Sequence, residues 1–280
     1  MRRRPAALFA VLLVTAACSR NEERTVSLVI EVTEPSPGRV VLEAPAQTPA
    51  GVVAVTLRNS ASASHDVQLV RVEGERSVEE VVDLVSSDGA PIPPWFHPEG
   101  GVTSVPPGAS HSATRRLLPG SYYIVDTGTD AAGIPFAQVG GVRPLTVEDE
   151  DTGASPALPE ADVTVSATEH SFGLPPELDA GSPLVRFDNR GIEPHMVVAA
   201  PLLPGRTLDD VRRSLASVGD PPPALDVTRA TGTQIVDGGT SILTKMTFSA
   251  GVYVFVCFVN DRAGGPPHHA VGMLQELRVR

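Results

Sequence analysis

Two long stretches of this chain match each other at a constant offset, and this repeat limits most strongly what the chain can fold into. Residues 184–201 echo residues 55–72, so that Asn189 falls on Asn59 and His195 falls on His65, 130 positions apart. Serine and threonine caps of two short amphipathic helices follow at the same offset. We therefore expect two copies of one unit of about 120 residues, which is a common domain size.

The repeated unit has the pattern of β-structure. In the segment 51–59, Val53, Val55 and Leu57 alternate with smaller or polar side chains, which is the period of a strand with one buried face. Glycine and proline are abundant, with 25 and 27 residues, and long helical runs are scarce. The predicted class is all-β, with two tandem β-sandwiches and a short helix in a long connection of each. The strands predicted up to the middle of the chain are 26–32, 39–44, 51–59, 65–72, 111–118, 121–127 and 142–147, with a Pro-rich loop at 90–101, and 161–169 begins the second copy.

Residues 1–17 have the composition of an export signal. Three arginines at 2–4 precede an apolar run, 6–17, that is too short to span a bilayer. The run ends in VTAAC, which is similar to a bacterial lipobox, in which the cysteine, here Cys18, is lipidated and becomes the new N-terminus. The alternative is an ordinary secretory signal with an incidental cysteine. Both readings predict an exported protein, and the first predicts a cell-envelope lipoprotein anchored to the membrane through Cys18.

Composition also suggests the domain boundaries. We place a first domain at 26–147 and a second domain at 161–280. Between them, residues 148–160 read EDEDTGASPALPE, an acidic stretch rich in Pro and Ser that is typical of a linker.

The charge of the chain limits its partners. The formal net charge is −11, and it falls to −14 when the three leader arginines are removed. An acidic surface repels nucleic acids and anionic lipid surfaces, since both are polyanions. We therefore expect no nucleic-acid partner and membrane contact only through the lipid anchor.

Residues 251–273 carry the residues with distinctive chemistry. Tyr253, Phe255 and Cys257 alternate with valines, which predicts a buried strand whose core face ends at Cys257. Ten residues separate Cys257 from His268, and four separate His268 from Met273. A thiolate, an imidazole and a thioether on one loop are soft ligands suited to copper. His195, from the repeated segment, can supply a second imidazole.

With these features the second copy resembles a cupredoxin, the blue-copper fold. The resemblance rests on the Asn-bearing turn before His195, on Gly-x-Tyr-x-Phe-x-Cys at 251–257, and on Cys257–loop–His268-x4-Met273. It implies a Greek-key sandwich and one type 1 copper held by Cys257, His195 and His268, with Met273 as a weak axial ligand. It further implies that His268 lies at the surface end of the site, where electrons would leave.

The first copy resembles the same fold with the site lost. Cys257 falls on Asp126, and with one residue of gap His268 falls on Phe136 and Met273 on Gly141. The first domain is therefore a degenerate copy that should not hold copper in this way. The ten-residue ligand loop of the second copy is also longer than that of small cupredoxins.

Each donor has a plain structural alternative. His195 has a counterpart in the copy that lacks a cysteine, so it can simply close a turn, and Cys257 can be a buried core thiol. His268 and His269 can form an exposed pair on a Pro-rich loop, and His268 is the preferred ligand because it keeps the spacing to Met273. Two other histidines, His111 and His170, are expected to lack ligand-like neighbours and to be solvated.

The sequence predicts an exported, lipid-anchored protein of two cupredoxin-like domains that binds one copper in its second domain for electron transfer or copper holding, with a redox protein as its partner. The alternative is a metal-free cupredoxin-like lipoprotein that acts as a binding or scaffold module. An enzyme is the weakest hypothesis, because the chain has no GxSxG, CxxC, HExxH or His-x-His motif and no phosphate-binding loop. We therefore expect no catalytic residues.

Overall fold

The computed structural model describes residues 25–87, 89–149, 157–217 and 223–280. The leader 1–17, Cys18 and the central part of the linker, 150–156, lie outside these ranges. The strands of the first half are β1 (Val26–Ser36), β2 (Arg39–Glu43), β3 (Gln47–Pro49), β4 (Gly51–Asn59), β5 (His65–Val72), β6 (Phe96–Val105), β7 (Ser110–Leu117), β8 (Gly120–Val125) and β9 (Val142–Glu148). Those of the second half are β10 (Val163–Thr168), β11 (Ser171–Gly173), β12 (Leu184–Asn189), β13 (Val198–Pro201), β14 (Thr231–Gly232), β15 (Ser241–Lys245), β16 (Gly251–Val256) and β17 (Leu274–Val279). The α-helices are α1 (Val78–Val85), α2 (Leu208–Ala216) and α3 (His268–Val271), and 3₁₀ turns lie at Phe136–Val139 and Val227–Arg229.

The strands form three sheets that make two sandwiches. The order β3-β9-β8-β5-β6 belongs to the first half and β14-β13-β16-β17 to the second. An eight-stranded sheet, β11-β10-β12-β15-β7-β4-β1-β2, supplies four strands to each half. The first strand of each half runs parallel to a later one, β1 to β4 and β10 to β12. The all-β class with two tandem Greek-key sandwiches is confirmed, with one short helix, α1 or α2, in a long connection of each.

The cores form because apolar side chains alternate along the strands. In β1, Leu28, Ile30 and Val32 are fully buried while their neighbours are partly exposed. Tyr253, Phe255 and Cys257 lie in the main core cluster, as the alternation predicted. Val254 and Val256, on the other face of β16, pack under α2 instead. This strand is therefore buried on both faces, and its end is shielded from water.

Both predicted capping boxes are present. Ser77 and Glu80 exchange hydrogen bonds at the start of α1, and Thr207 and Asp210 do the same at the start of α2. Each helix packs on the outer face of the sheet that belongs only to its own half. One valine near the middle of each helix is buried there. Within the described ranges, no helix has the length and apolar character needed to cross a membrane.

Strand β6 is a correction to the sequence analysis. Residues 96–101 were expected to belong to a Pro-rich loop, but they begin a ten-residue strand. Pro98 is tolerated because β6 is the edge strand of its own sheet, so that its missing N–H takes no hydrogen bond from β5. Gly101 is required by close packing, since a Cβ there would lie 1.9 Å from the carbonyl oxygen of Val67. Pro and Gly thus mark an edge strand here rather than a loop.

The two halves are joined by backbone hydrogen bonds. Strand β7 pairs antiparallel with β15, with Thr114 opposite Leu243. On the other sheet, the edge of β6 is covered by the segment before β15: Gly100 N–H donates to Ile235 O at 2.7 Å and Asp237 N–H donates to Pro98 O at 2.8 Å. The second half therefore covers both strand edges that the first half presents to it.

Candidate metal centre

Three donor atoms from two separate segments meet in the second half. The Cys257 Sγ lies 3.5 Å from Nδ1 of His268 and 3.8 Å from Nδ1 of His195, and the two Nδ1 atoms are 2.9 Å apart. All three residues are fully buried. The structure therefore brings together the Cys257, His195 and His268 side chains that the sequence singled out.

The spacing of these atoms suits one first-row transition ion. The centre of a triangle with these sides lies about 2 Å from each corner, close to usual metal–nitrogen bonds and slightly short of metal–sulfur bonds. Thiolate and imidazole donors select copper, zinc or iron over magnesium and calcium. The donor set therefore fits a metal such as copper.

Backbone hydrogen bonds shape the loop that brings His268 back to Cys257. His268 N–H donates to Val259 O at 2.8 Å, and His269 N–H donates to Cys257 O at 2.9 Å. Met273 closes the loop, because its N–H donates to His268 O at 2.9 Å and its carbonyl accepts from Cys257 N–H at 3.2 Å. The ten-residue loop thus returns to the strand end through fixed contacts despite its length.

The segment carrying His195 is held by Asn189. The buried Asn189 amide donates to Glu193 O at 2.8 Å and to Val236 O at 3.1 Å, and its oxygen accepts from Gly191 N–H at 3.0 Å. His195 and Val236 exchange two further backbone bonds of 2.9 and 3.0 Å. Asn189 therefore closes the turn that presents His195.

Asp261 is a functional residue that the sequence analysis missed. Its carboxylate oxygen lies 2.9 Å from Nε2 of His268, so Nε2–H donates to it and Nδ1 keeps a free lone pair toward the sulfur. His170 stands beside it, with Nε2 3.8 Å from the same oxygen. His170 is exposed, as expected, but the expectation that it lacks ligand-like neighbours is wrong. An aspartate inside a ligand loop was the signal available for Asp261.

Burial sets the protonation of the donors in the metal-free protein. Desolvation, helped by neighbouring His268, lowers the pKa of His195 to about 4, so this imidazole is neutral at neutral pH. Desolvation raises the pKa of the Cys257 thiol to about 11, although backbone N–H groups of Met196 and Val259 partly oppose the shift. A bound cation would remove the thiol proton, because coordinated thiols are deprotonated.

The placement of His268 corrects one part of the resemblance. His268 was expected at the surface end of the site, but it is fully buried beneath Asp261 and His170. His269 lies next to it and is partly exposed, and its ring packs edge-on against Phe258 at 5.4 Å instead of joining the donor group. Of the two adjacent histidines, His268 is the one beside the sulfur.

The first half contains the same framework with other side chains. The Asn59 amide donates to Ala63 O and Val105 O, which reproduces the clamp made by Asn189. Asp126 N–H donates to Gly141 O at 2.7 Å, and Gly141 N–H donates to Phe136 O at 2.9 Å. These bonds match those that link Cys257, Met273 and His268, so the alignment of Asp126, Phe136 and Gly141 with the ligand positions holds in three dimensions.

A buried pair occupies the degenerate site. His65 Nδ1 lies 2.6 Å from Asp126 Oδ2, and both side chains are fully buried. The ring of Phe136 packs on His65 with centroids 4.3 Å apart, where the second half has a second imidazole. A carboxylate and a phenyl ring thus replace the thiolate and the imidazole, and this site has lost its soft donor set.

The chain was compared with protein families, curated proteins and solved structures. No protein-family model and no curated protein matches the chain. Dithionite-reduced auracyanin from Roseiflexus castenholzii is 22% identical, with a TM-score of 0.31 over 44% of this chain and 98% of its own. Copper nitrite reductase from Nitrosomonas europaea is 14% identical, with a TM-score of 0.29 over 92% of this chain and 94% of its own. A multicopper oxidase is 13% identical, with a TM-score of 0.25 over 91% and 88%.

At these TM-scores the class of protein rests on the sheet topology and the donor set. The fold is cupredoxin-like in two tandem sandwiches. In the second, His195, Cys257 and His268, together with the fully buried Met273, form a group that fits a type 1 copper site.

Proposed function

We propose that the protein binds one copper ion at His195, Cys257 and His268, and that it carries electrons or holds copper outside the cytoplasm. The observation that carries the proposal is the convergence of Sγ and two Nδ1 atoms within 3.8 Å of one another in a fully buried position.

The protein's contribution is a rigid donor set. Copper bound there would exchange one electron between Cu(I) and Cu(II). Asp261 holds the His268 ring in one tautomer, and Val236 fixes the backbone of His195 on both sides. Because these partners hold the donors in one arrangement, the site needs little rearrangement when its charge changes.

We propose Met273 as the weak axial ligand. It is fully buried, and its backbone is bonded to both Cys257 and His268, which keeps it next to the donor triangle. A thioether is a soft, weak donor, which is the usual axial group of electron-transfer copper sites.

We also propose export and anchoring through Cys18. The leader supports export, and the VTAAC sequence supports lipidation. A redox protein is the partner we expect, and the acidic net charge favours a neutral or basic one.

The metal-free scaffold remains the second candidate, with one observation in its favour. The 2.9 Å separation of the two Nδ1 atoms also suits an N–H···N hydrogen bond between neutral imidazoles. In that case Cys257 would be a buried thiol with no redox role.

Addition of Cu(II) to the metal-free full chain tests the proposal. We expect an intense blue absorption that saturates at one copper per chain. It should disappear in Cys257→Ser, because the band arises from the thiolate, and persist in His269→Gln, which changes a neighbour outside the donor group. A wild-type chain that stays colourless, or a band that survives Cys257→Ser, would support the scaffold instead.

We expect no catalysis. Among the described residues the second group able to hold a metal is His170, Asp261 and His268, and it shares His268 with the first.

A further inference from the structure

The ligand loop of the second half is bound by the first half, and Arg262 makes the connection. Arg262 is the fifth residue after Cys257, in the ten-residue stretch that leads to His268. Its guanidinium donates from Nη1 to Phe96 O at 3.0 Å and to Pro93 O at 3.3 Å. Its own carbonyl accepts from Ile92 N–H at 2.9 Å. The middle of the loop is therefore fixed to the segment 92–96 of the first half.

The same arginine also reaches the segment that supports His195. Arg262 Nη2 donates to Asp237 Oδ1 at 2.6 Å, and its backbone N–H donates to the Glu193 carboxylate at 2.7 Å. Asp237 directly follows Val236, which exchanges two backbone bonds with His195. The other Asp237 oxygen lies 2.8 Å from Nδ1 of His97 in the first half. Arg262 thus stands where both ligand-bearing segments meet the first half.

The contacts of Arg262 are suited to holding the ligand loop in one geometry. The Arg262 and Asp237 side chains are 23% and 16% exposed, so the pair is largely shielded from solvent screening. A planar guanidinium that donates to two carbonyls and one carboxylate oxygen sets direction as well as distance. Asp261, the residue before Arg262, accepts from His268 Nε2. Fixing Arg262 therefore fixes the carboxylate that orients His268.

We propose that Arg262 is a positioning residue through which the first half holds the ligand loop in place, and that this support is the work of the degenerate half. The proposal rests on the proposed copper function for its consequence, but not for its contacts. It accounts for the long ligand loop: the extra residues reach the first half, and Arg262 divides the loop into two short, anchored spans.

The test uses the full chain with Arg262→Gln, which removes the charge and the fork. Arg262→Lys keeps the charge without the fork. The matched control is Arg212→Gln, which breaks an exposed ion pair with Asp209 on α2, remote from the loop. Two readouts are compared: the absorption and electron paramagnetic resonance spectra of the Cu(II) form, and the rate at which an aromatic disulfide reagent modifies the Cys257 thiol in the metal-free form.

We expect Arg262→Gln to bind copper with a shifted spectrum and to react at its thiol about tenfold faster, because a buried thiol reacts through local opening of the loop. Arg262→Lys should lie between, and Arg212→Gln should match the wild type. A folded Arg262→Gln with unchanged spectrum and thiol rate overturns the proposal. If Arg262→Gln does not fold, Arg262→Lys against the wild type decides it by the same two readouts.

The two proposals fail differently. If the wild type never develops a blue band, the copper function fails, while the thiol rate of the metal-free variants still decides whether Arg262 holds the loop. If the wild type turns blue and the variants are indistinguishable from it, the support by the first half fails and the copper function stands.

Discussion

At the scale of single residues, the side-chain amide of Asn189 fixes the position of the His195 imidazole. Asn189 is 1% exposed and makes three hydrogen bonds to the turn before His195. Asn59 makes the equivalent bonds in the first half, whose site lacks the thiolate and the second imidazole. The same hydrogen bonds are present in both halves, but only the second half has the candidate metal site. Comparing the two asparagines therefore separates the structural role of the amide from its functional role.

We predict that Asn189→Ala destabilises the protein by about 3 kcal/mol, since each buried hydrogen bond contributes about 1 kcal/mol. It should also weaken copper binding, because the turn that presents His195 loosens. Asn59→Ala is the matched control and should cost similar stability without changing copper affinity. Urea unfolding and copper titration measure the two effects, and equal copper affinities for both variants would contradict the prediction.

A carboxylate beside a metal ligand influences redox chemistry through its charge. Asp261 touches Nε2 of His268, so its negative charge favours the higher positive charge of Cu(II) over Cu(I). Its side chain is 41% exposed, which weakens the effect through solvent screening.

We predict that Asp261→Asn raises the reduction potential by about 40 mV. For a one-electron couple this corresponds to a free-energy change of roughly 1 kcal/mol. Asp209→Asn removes an equally charged side chain from the exposed surface of α2 and should leave the potential unchanged. Redox titration of the blue band gives both values. An unchanged or lowered potential in Asp261→Asn would show that its charge does not act on the site.

At the scale of elements, the ligand loop and its counterpart have matching backbone hydrogen bonds at the three aligned positions, and the side chains at all three positions differ. The 3₁₀ turn Phe136–Val139 stands where α3 stands in the second half, and each follows a proline. Gly141 replaces Met273, and a Cβ there would lie 2.7 Å from Phe136 O, so no thioether fits without a backbone shift. The first half thus keeps room for a thiolate and an imidazole but not for an axial methionine.

We predict that Asp126→Cys combined with Phe136→His gives the first half a copper-binding donor set with His65. In a Cys257→Ser background, which silences the original site, a thiolate-to-copper band should return with both substitutions and stay absent with Asp126→Cys alone. The second imidazole is required because one nitrogen and one sulfur leave the ion under-coordinated. Absorption during copper titration is the measurement, and a colourless double variant that is correctly folded would contradict the structural equivalence of the two loops.

Sequence patterns could predict the strands and helices that are specified by short-range sequence signals. Alternation found β1, β4 and β16, and the capping residues found α1 and α2, because those signals lie within the element itself. Strand β6 was missed because proline and glycine, here Pro98 and Gly101, normally interrupt strands. It forms nevertheless as an edge strand, and the second half covers its outer edge. The donors His195, Cys257 and His268 were predictable through chemistry and spacing. Asp261, seven residues before His268, could have been predicted from its place in the ligand loop. Arg262 could not, because its partners lie on segments far away in the chain.

At the scale of the whole molecule, the two halves are one continuous β-structure. Strand β15 is central in the eight-stranded sheet, with β12 on one side and β7 on the other. Ile242 pairs with Arg115 and Thr244 with Ala113 across the junction. The second half carries the donors, but an isolated second half would present β15 as an open edge, and it would lose the contacts of Arg262 with the segment 92–96.

We predict that a fragment of residues 157–280 binds copper but forms dimers, because an exposed, flat strand edge pairs with its copy. Thr244→Lys in the fragment should restore the monomer, since a charged side chain on an edge strand blocks edge-to-edge pairing, and the intact chain should be monomeric at the same concentration. The copper spectrum of the monomeric fragment should resemble that of Arg262→Gln in the full chain, because both lack the same anchor. Sedimentation velocity and absorption spectroscopy give the two readouts. A monomeric wild-type fragment with the spectrum of the intact protein would mean that the first half neither protects the edge of β15 nor shapes the site.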